Sequence, residues 1–447
     1  MNIELFGILL SLLIGASLFI AFSSSNNINS TEDYFLAGRK FSLFATTFSL
    51  LATQLGGGVI IGTSQAAYQY GALGIFYSLG LALGLILLSL VNSGRLREQG
   101  ISTIAEVFEK VYGSKLLRKI AAVLSILSLW GIYVAMIVSS KKLLLSMGID
   151  SKWLLIALWL ILISYTSFGG IKAVVNTDIL QVLVIIACFV IVYIMLGTVN
   201  PEVMSWDLDY DPNIMQDTHS LLLVPMMFVL VEQDMAQRIF AAKSALVARI
   251  AAFIAGIALL AFSMIPVLFG MMAKNQLGGV SGDASVLLQF VQQVGNPNMV
   301  SILVVGIIAA IISTADSLLC ALSSNLIVDL CDNDKKSPLV TYAKVVTFVM
   351  GFVAIIVALC FSDVLKIILA SYELVLCACF VPVVAIYLGV DKGNQKAAQA
   401  AFAVGLISFI LFLLLAPSHQ WRALICIGLS LAAFMAGVVV SKIALRC

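Results

Sequence analysis

The sequence predicts an all-α integral membrane protein of a single domain, and three observations predict it. Hydrophobic residues make up 62% of the 447 residues and charged residues only 11%, against about 25% charged in soluble domains. About thirteen segments reach the apolar length of a bilayer span, roughly 20 residues. Lysine and arginine are shared unequally between the loops that alternate along the chain, the bias that orients such proteins. The net charge of +2 comes with no basic cluster, so nothing points to nucleic acid.

Taken in order, the predicted spans are 3–22, 41–70, 72–92, 118–147, 152–167, 170–198, 219–240, 245–273, 299–330, 338–361, 366–389, 396–416 and 421–441. The first has no basic leader and no small-residue cleavage site, so it reads as a retained helix rather than a signal peptide. Short amphipathic helices are expected at 101–113 and 283–294, and no glycine-rich linker divides the chain. With the N-terminus outside, nineteen of the 25 basic residues fall in cytoplasmic loops or helix ends. Six fall outside, and the outside loop 199–218 carries five acids and no base. This places the protein in the plasma (inner) membrane with its C-terminus cytoplasmic. The eight cysteines show no metal spacing, and the two histidines lie near predicted helix ends. Both facts weigh against a metal centre or a Ser/His/Asp triad. No enzyme activity is expected, and no ATP-binding motif suggests pumping by hydrolysis.

Two spans carry the chemistry. LATQLGGGVIIGTSQAAYQYG (Leu51 to Gly71) has Gly56, Gly57 and Gly58 at its middle, where each glycine costs a helix about 1 kcal/mol relative to alanine. Such a run serves either a helix break whose freed backbone groups line a cavity or a groove for close helix packing. VGIIAAIISTADSLLCALSSN (Val305 to Asn325) places Ala310, Ser313 and Thr314 on one helix face. Ser313, Asp316 and Ser317 repeat that spacing one step around the helix. Hydroxyls and carbonyls are the hard oxygen ligands that a small hard cation prefers. A carboxylate at the depth of Asp316 is a functional hypothesis by default. Asp178 also lies inside a span, six residues past Lys172, either paired with a base or sharing a cation with Asp316.

Together these residues resemble the sodium/solute symporter family, which contains the proline/sodium symporter, the sodium/glucose cotransporters and the choline transporter. The matching stretches are DYFLAGRK (Asp33 to Lys40), LATQLGGGVIIGTS (Leu51 to Ser64), YTSFGGIKAVVNTDILQ (Tyr165 to Gln181), QRIFAAKS (Gln237 to Ser244) and AAIISTADS (Ala309 to Ser317). The resemblance implies a LeuT-type five-plus-five inverted repeat with broken first and sixth core helices. One repeat would span 41–198 and the other 219–389, with an extra helix at 3–22 and two helices at 396–441. It implies Na+ as the coupling ion, held by carbonyls of Ala52, Leu55 and Ala310 and hydroxyls of Ser313 and Thr314. Some members bind a second cation, which would map to Asp178, Ser313, Asp316 and Ser317, with Asp316 replacing a hydroxyl.

The family's solute site would fall on Gln54, Gly56, Gly57, Gly58, Glu232, Gln233 and Glu373. The sixth core helix has no glycine, so its break must come from Pro225 or the run Glu232-Gln233-Asp234. Gly58 and Val59 stand where sugar transporters carry polar residues. SYELV (Ser371 to Val375) and LATQLGGG match the choline branch, yet Gln54 and Glu232 occupy positions of its aromatic cage. Glu232 and Glu373 have no lysine or arginine within one helical turn in sequence. A solute bearing an amino or ammonium group, such as an amino acid, an amine or a choline-like compound, would supply the missing charge. Glu232 could instead be solvated at the cytoplasmic end of its helix. The expected function is sodium-coupled import of a small organic solute by alternating access, with the lipid bilayer as surroundings and no obligatory protein partner. The alternatives are a sensor on the same fold needing a partner signalling subunit, or a symporter for a carboxylate or vitamin such as pantothenate.

Overall fold

The computed structural model describes residues 1–447 except 25–27, 29, 92–96, 98–99, 200–214, 278, 280–284, 332–338, 362–363, 390–393, 417–418, 420 and 445–447. Most of the acidic loop 199–218, and Arg95, Lys335, Lys336, Lys392 and Arg446 of the charge count, lie outside the described residues. Among the described residues no strand forms, and one isolated bridge joins Phe41 to Ala242.

The helices are α1 (Ile3–Ser24), α2 (Thr31–Leu36), α3 (Leu43–Gln54), α4 (Thr63–Tyr70), α5 (Phe76–Leu90), α6 (Glu106–Lys110), α7 (Lys115–Ser146), α8 (Lys152–Val199) and α9 (Met215–Phe228). After them come α10 (Gln233–Ala241), α11 (Ala245–Gln276), α12 (Val286–Val294), α13 (Pro297–Ser324), α14 (Leu339–Ala358), α15 (Val364–Leu388), α16 (Gln395–Leu415) and α17 (Arg422–Ala444). The short helices α6 and α12 fall within the two predicted amphipathic stretches. Eleven helical runs among the described residues are long and apolar enough to cross a membrane, against thirteen predicted spans. Two of the runs account for the difference in number. Lys152–Thr198 is continuous by hydrogen bonding but breaks at Gly170, where φ is 57° and ψ −165°. That glycine falls where the predicted spans 152–167 and 170–198 meet. The run Gly58–Leu90 joins the second half of one predicted span to the next.

Burial ranks these runs. In α13 and its continuation to Leu330, 83% of the most apolar window is buried, whereas in α1 only 17% is. The first helix is the most exposed of these runs and the Ser/Thr/Asp-bearing helix is the most buried. It packs against α3, α7, α8 and α10.

Two helices break beside it. The first helical run ends at Gln54, and Leu55 turns out of the helix with ψ at 37°. Hydrogen bonding resumes only with Ile60 N donating to Gly56 O at 3.1 Å, through a π-helical turn at Gly58–Gly62. The glycines have ordinary negative φ and so do not serve a left-handed bend. They serve close approach: a Cβ on Gly56 would run into Thr314 Oγ1, and one on Gly58 would sit 2.6 Å from the Tyr77 hydroxyl. The break and the small-residue groove are therefore one feature.

The second break follows Pro225, which cannot donate to the preceding turn. Helix α9 ends at Phe228, Glu232 is extended (φ −73°, ψ 124°), and α10 starts at Gln233. Leu230 O, inside the gap, accepts a hydrogen bond from the Tyr387 hydroxyl at 3.0 Å. A backbone group freed at this depth needs such a partner.

Candidate functional site: an oxygen cluster and a cavity at the helix breaks

Where α3 ends, two hydroxyls of α13 meet its last carbonyls. Ser313 Oγ lies 3.1 Å from Ala52 O and 2.9 Å from Ala310 O. Thr314 Oγ1 donates to Thr53 O at 2.9 Å. The i, i+1 spacing of Ser313 and Thr314 lets one helix address two successive carbonyls of its neighbour. Ala52, Leu55, Ala310 and Ser313 are fully buried and Thr314 nearly so. Leu55 precedes Gly56, whose Cα abuts Thr314. Ser313 Oγ thus meets the carbonyls of Ala52 and Ala310, two of the three assigned to sodium by the resemblance, whereas the Thr314 hydroxyl meets the Thr53 carbonyl, which the resemblance does not assign, and Leu55 lies at the break itself.

A small cavity adjoins this cluster. Thr53, Gln54, Gly56, Gly58 and Thr314 line one side, and Tyr77, Glu232, Asp234, Ile368 and Tyr372 another. It encloses about 20 Å³, room for little more than one water molecule. Glu232 is 5% exposed and accepts a hydrogen bond from Gln54 Nε2 at 3.1 Å. The Asp234 carboxyl lies beside it, close enough for the two carboxyl groups to share a hydrogen bond. Tyr77 and Tyr372 hydroxyls are 3.2 Å apart, and the Tyr372 ring stacks on Phe228 with centroids 3.9 Å apart. No lysine or arginine is among the described residues that line the cavity.

This geometry sorts the residues expected at the solute site. Glu232 is buried at the cavity and not solvated at a helix end. Gln233 is turned to the other side, where its amide oxygen accepts from Ile104 N at 2.7 Å and its amide nitrogen approaches Ser102 O. Glu373 is corrected most plainly: it is not at the cavity and it has a base. Its carboxylate is paired with Arg422 of α17, whose Nε donates to it at 2.8 Å. Tyr372 faces the cavity, and the next residue on a helix points about 100° away. Of the three glycines, Gly56 and Gly58 line the cavity, whereas Gly57 backs onto Ser139.

Beyond this cluster of oxygens, α13 also meets α8. Asp316 accepts hydrogen bonds from the Tyr165 hydroxyl and, at 2.5 Å, from Thr166 Oγ1. Asp178 accepts from Ser49 Oγ at 2.5 Å and pairs with Arg238 at 3.4 Å. Arg238 also donates to Ser317 Oγ. Asp178 and Ser317 meet at Arg238, an arginine that helical spacing alone does not place there, whereas both Asp316 oxygens are taken by Tyr165 and Thr166.

Residues 34–405 match the profile of the sodium:solute symporter family. The chain belongs to that family. Its relatives include the high-affinity choline transporter 1 of Caenorhabditis elegans, 25% identical over 413 residues, which cover 84% of this chain and 70% of that one. The high affinity choline transporter 1 of Homo sapiens is 27% identical over 425 residues, with the same two coverages of 84% and 70%. A sodium/glucose cotransporter of Vibrio parahaemolyticus is 31% identical over 183 residues, 40% of this chain and 34% of that one. Among solved structures, a Na+-coupled sialic acid symporter in a substrate-bound outward-open state superposes with a TM-score of 0.79 at 20% identity, covering 97% of each chain. That likeness establishes the shared fold. Membership of this family makes the chain a multi-pass membrane transporter coupled to Na+.

Arg238, Tyr77, Tyr372, Asp234, Tyr165 and Thr166 are site residues that the sequence alone does not single out. Arg238 does carry a signal: it lies four residues after Asp234, on the same helix face, although a count of bases by loop assigns it to a cytoplasmic helix end.

Proposed function

We propose that the protein imports a small organic solute bearing an amino or ammonium group, driven by Na+ bound at Ala52, Leu55, Ala310, Ser313 and Thr314. The observation that carries this reading is the contact of Ser313 and Thr314 hydroxyls with the last carbonyls of α3, beside a cavity holding two carboxyl groups and no base. A buried carboxylate needs a positive partner, and a cationic or zwitterionic solute brings one. Gln54, Glu232 and Asp234 would hold its charged group, and Tyr77 and Tyr372 would offer aromatic faces to it. The relatives named choline transporters agree with a cation. The two breaks, one in the run 43–70 and one in the run 215–241, support inverted repeats at 41–198 and 219–389. In this reading the N-terminus lies outside the plasma membrane, which impermeant thiol labelling of Lys142→Cys but not Lys119→Cys in intact cells would support and the reverse pattern would refute.

The functional test uses purified protein in proteoliposomes with labelled amines, amino acids, quaternary ammonium compounds and carboxylates. An inward sodium gradient should drive uptake of a solute from the first three groups, and Glu232→Gln should weaken it at least tenfold. Uptake of a purely anionic solute, unchanged in Glu232→Gln, or uptake indifferent to sodium, would refute the reading.

A further inference from the structure

Arg238 is the most deeply buried base described in this protein, at 1% exposure, and the transport cycle outlined above does not use it. Its guanidinium reaches four helices. Nε donates to Ser49 Oγ of α3 at 2.7 Å, and Nη1 donates to the carbonyl of Asp234, one turn back on α10, at 2.9 Å. Nη2 donates to Asp178 Oδ2 of α8 at 3.4 Å and to Ser317 Oγ of α13.

The oxygens it engages are a carboxylate and two hydroxyls. These are the hard donors that a small cation would take. Around them the donors are already spent: Ser49 Oγ bonds Asp178 Oδ2 at 2.5 Å, and Ser317 Oγ pairs with Thr53 Oγ1 at 2.9 Å. A guanidinium stays protonated in proteins. A sodium ion added beside it would meet a like charge in an interior that screens poorly. Asp178 Oδ1 accepts no bond from a described donor, yet one carboxylate carries one charge, and Arg238 balances it. Asp316 is near enough for the charge of Asp178 to act on it, but its two oxygens accept from Tyr165 and Thr166 of α8 and not from Arg238, so it does not compete with Asp178 for the guanidinium.

We propose that Arg238 is a resident cation standing in for a second sodium, so that the protein binds one sodium ion and not two. The inference rests on the sodium reading of Ser313 and Thr314 and adds the ion stoichiometry to it. It also gives the arginine a role: a positive charge fixed to α10 ties three other helices at the point where α3 breaks, and no ion has to be recruited for that tie.

Binding of radiolabelled sodium alone to the purified full-length protein, with no solute, tests this. The wild type should bind one sodium per protein with a non-cooperative isotherm. Asp178→Asn should leave that number at one, since Asp178 serves the arginine. Arg238→Lys should also leave it at one. Arg238→Ala, which opens the pocket beside an unpaired Asp178, should bind twice as much sodium, and adding Asp178→Asn should return it to one. Should Arg238→Ala not fold, the wild-type number and the Asp178→Asn variant still decide. Two sodium ions in the wild type, or loss of half the binding in Asp178→Asn, overturns the resident-cation inference alone. No bound sodium in the wild type overturns the sodium site itself and this inference with it.

Discussion

Replacing Ser313 or Thr314 with alanine removes one oxygen from the proposed sodium site and leaves the helix intact, because alanine is the best helix former. The size of the effect follows from what the hydroxyl does in each state. Without sodium, each hydroxyl makes neutral hydrogen bonds to carbonyls, at 2.9 to 3.1 Å, with a net value of about 0.5–1.5 kcal/mol. With sodium, the same oxygen faces a full charge, and interactions of that kind contribute about 1.5–3 kcal/mol. The alanine variant therefore loses about 1–2 kcal/mol more in the bound state, and at 1.4 kcal/mol per factor of ten this is a rise of roughly 5- to 30-fold in the sodium needed. Thr314→Ser keeps the oxygen and should change the requirement by no more than about fourfold, the scale of one buried methyl group at about 0.8 kcal/mol. Uptake as a function of sodium concentration, at matched expression, measures all three. The two residues are adjacent and share the same neighbour helix, so the double variant is not expected to show the product of the single effects. Unchanged sodium dependence in both alanine variants, or an equal effect of Thr314→Ser and Thr314→Ala, would refute the assignment.

Two shorter predictions concern packing. Gly56→Ala places a Cβ against Thr314 Oγ1 and 3.0 Å from Thr314 Cβ, whereas Gly15→Ala meets nothing within 4 Å; the first should abolish sodium-dependent uptake or raise its sodium requirement, the second should do neither, and equal behaviour of the two would show that the close approach is unimportant. Glu373→Gln should leave the solute concentration for half-maximal uptake unchanged while lowering the melting temperature, because it weakens the pair with Arg422 that fastens α17 to α15; a changed solute requirement at unchanged thermal stability would return Glu373 to the cavity.

Much of this site is legible in the sequence, for reasons that differ between residues. The hydroxyl pair is legible because helical periodicity is rigid: Ala310, Ser313 and Thr314 share a face whatever surrounds them. The break at Gly56–Gly58 is legible because glycines at that depth conflict with a continuous helix. Glu373 misleads because periodicity within one helix does not say what a distant helix brings. Arg422 lies 49 residues away and meets it only through tertiary packing. Arg238 is hidden for a related reason. Counting bases by loop assigns each to water, but a long side chain one turn inside a short broken helix reaches the bundle centre instead. The second break has no glycine to announce it. Pro225 lies four residues before the first unwound residue, Val229, so the position of the break emerges only once Glu232 and Tyr387 are seen to hold it open.

The closeness of the two sites bears on how sodium could drive the solute. Thr314 belongs to both and Thr53 joins them: the Thr53 carbonyl receives the Thr314 hydroxyl, and both residues line the cavity with Gly56. A cation that draws the α3 terminus and α13 together would fix the wall on which the solute rests. The cavity as it stands holds about 20 Å³, so any organic solute requires these helices to separate from α10 and α15, which carry Asp234 and Tyr372, and from Glu232 just before α10. Linkage then requires reciprocity: the factor by which sodium tightens solute binding equals the factor by which solute tightens sodium binding. A coupling of about 1–3 kcal/mol, or 5- to 150-fold, is the usual range. Equilibrium binding of tracer sodium with and without saturating solute, and of tracer solute with and without sodium, should give the same factor within error. Gly56→Ala should reduce both factors together, since Gly56 joins the two sites. A solute affinity that is the same in sodium and in potassium would mean that the shared wall does not transmit the ion's presence, and the coupling would have to reside in the rates of conformational exchange instead.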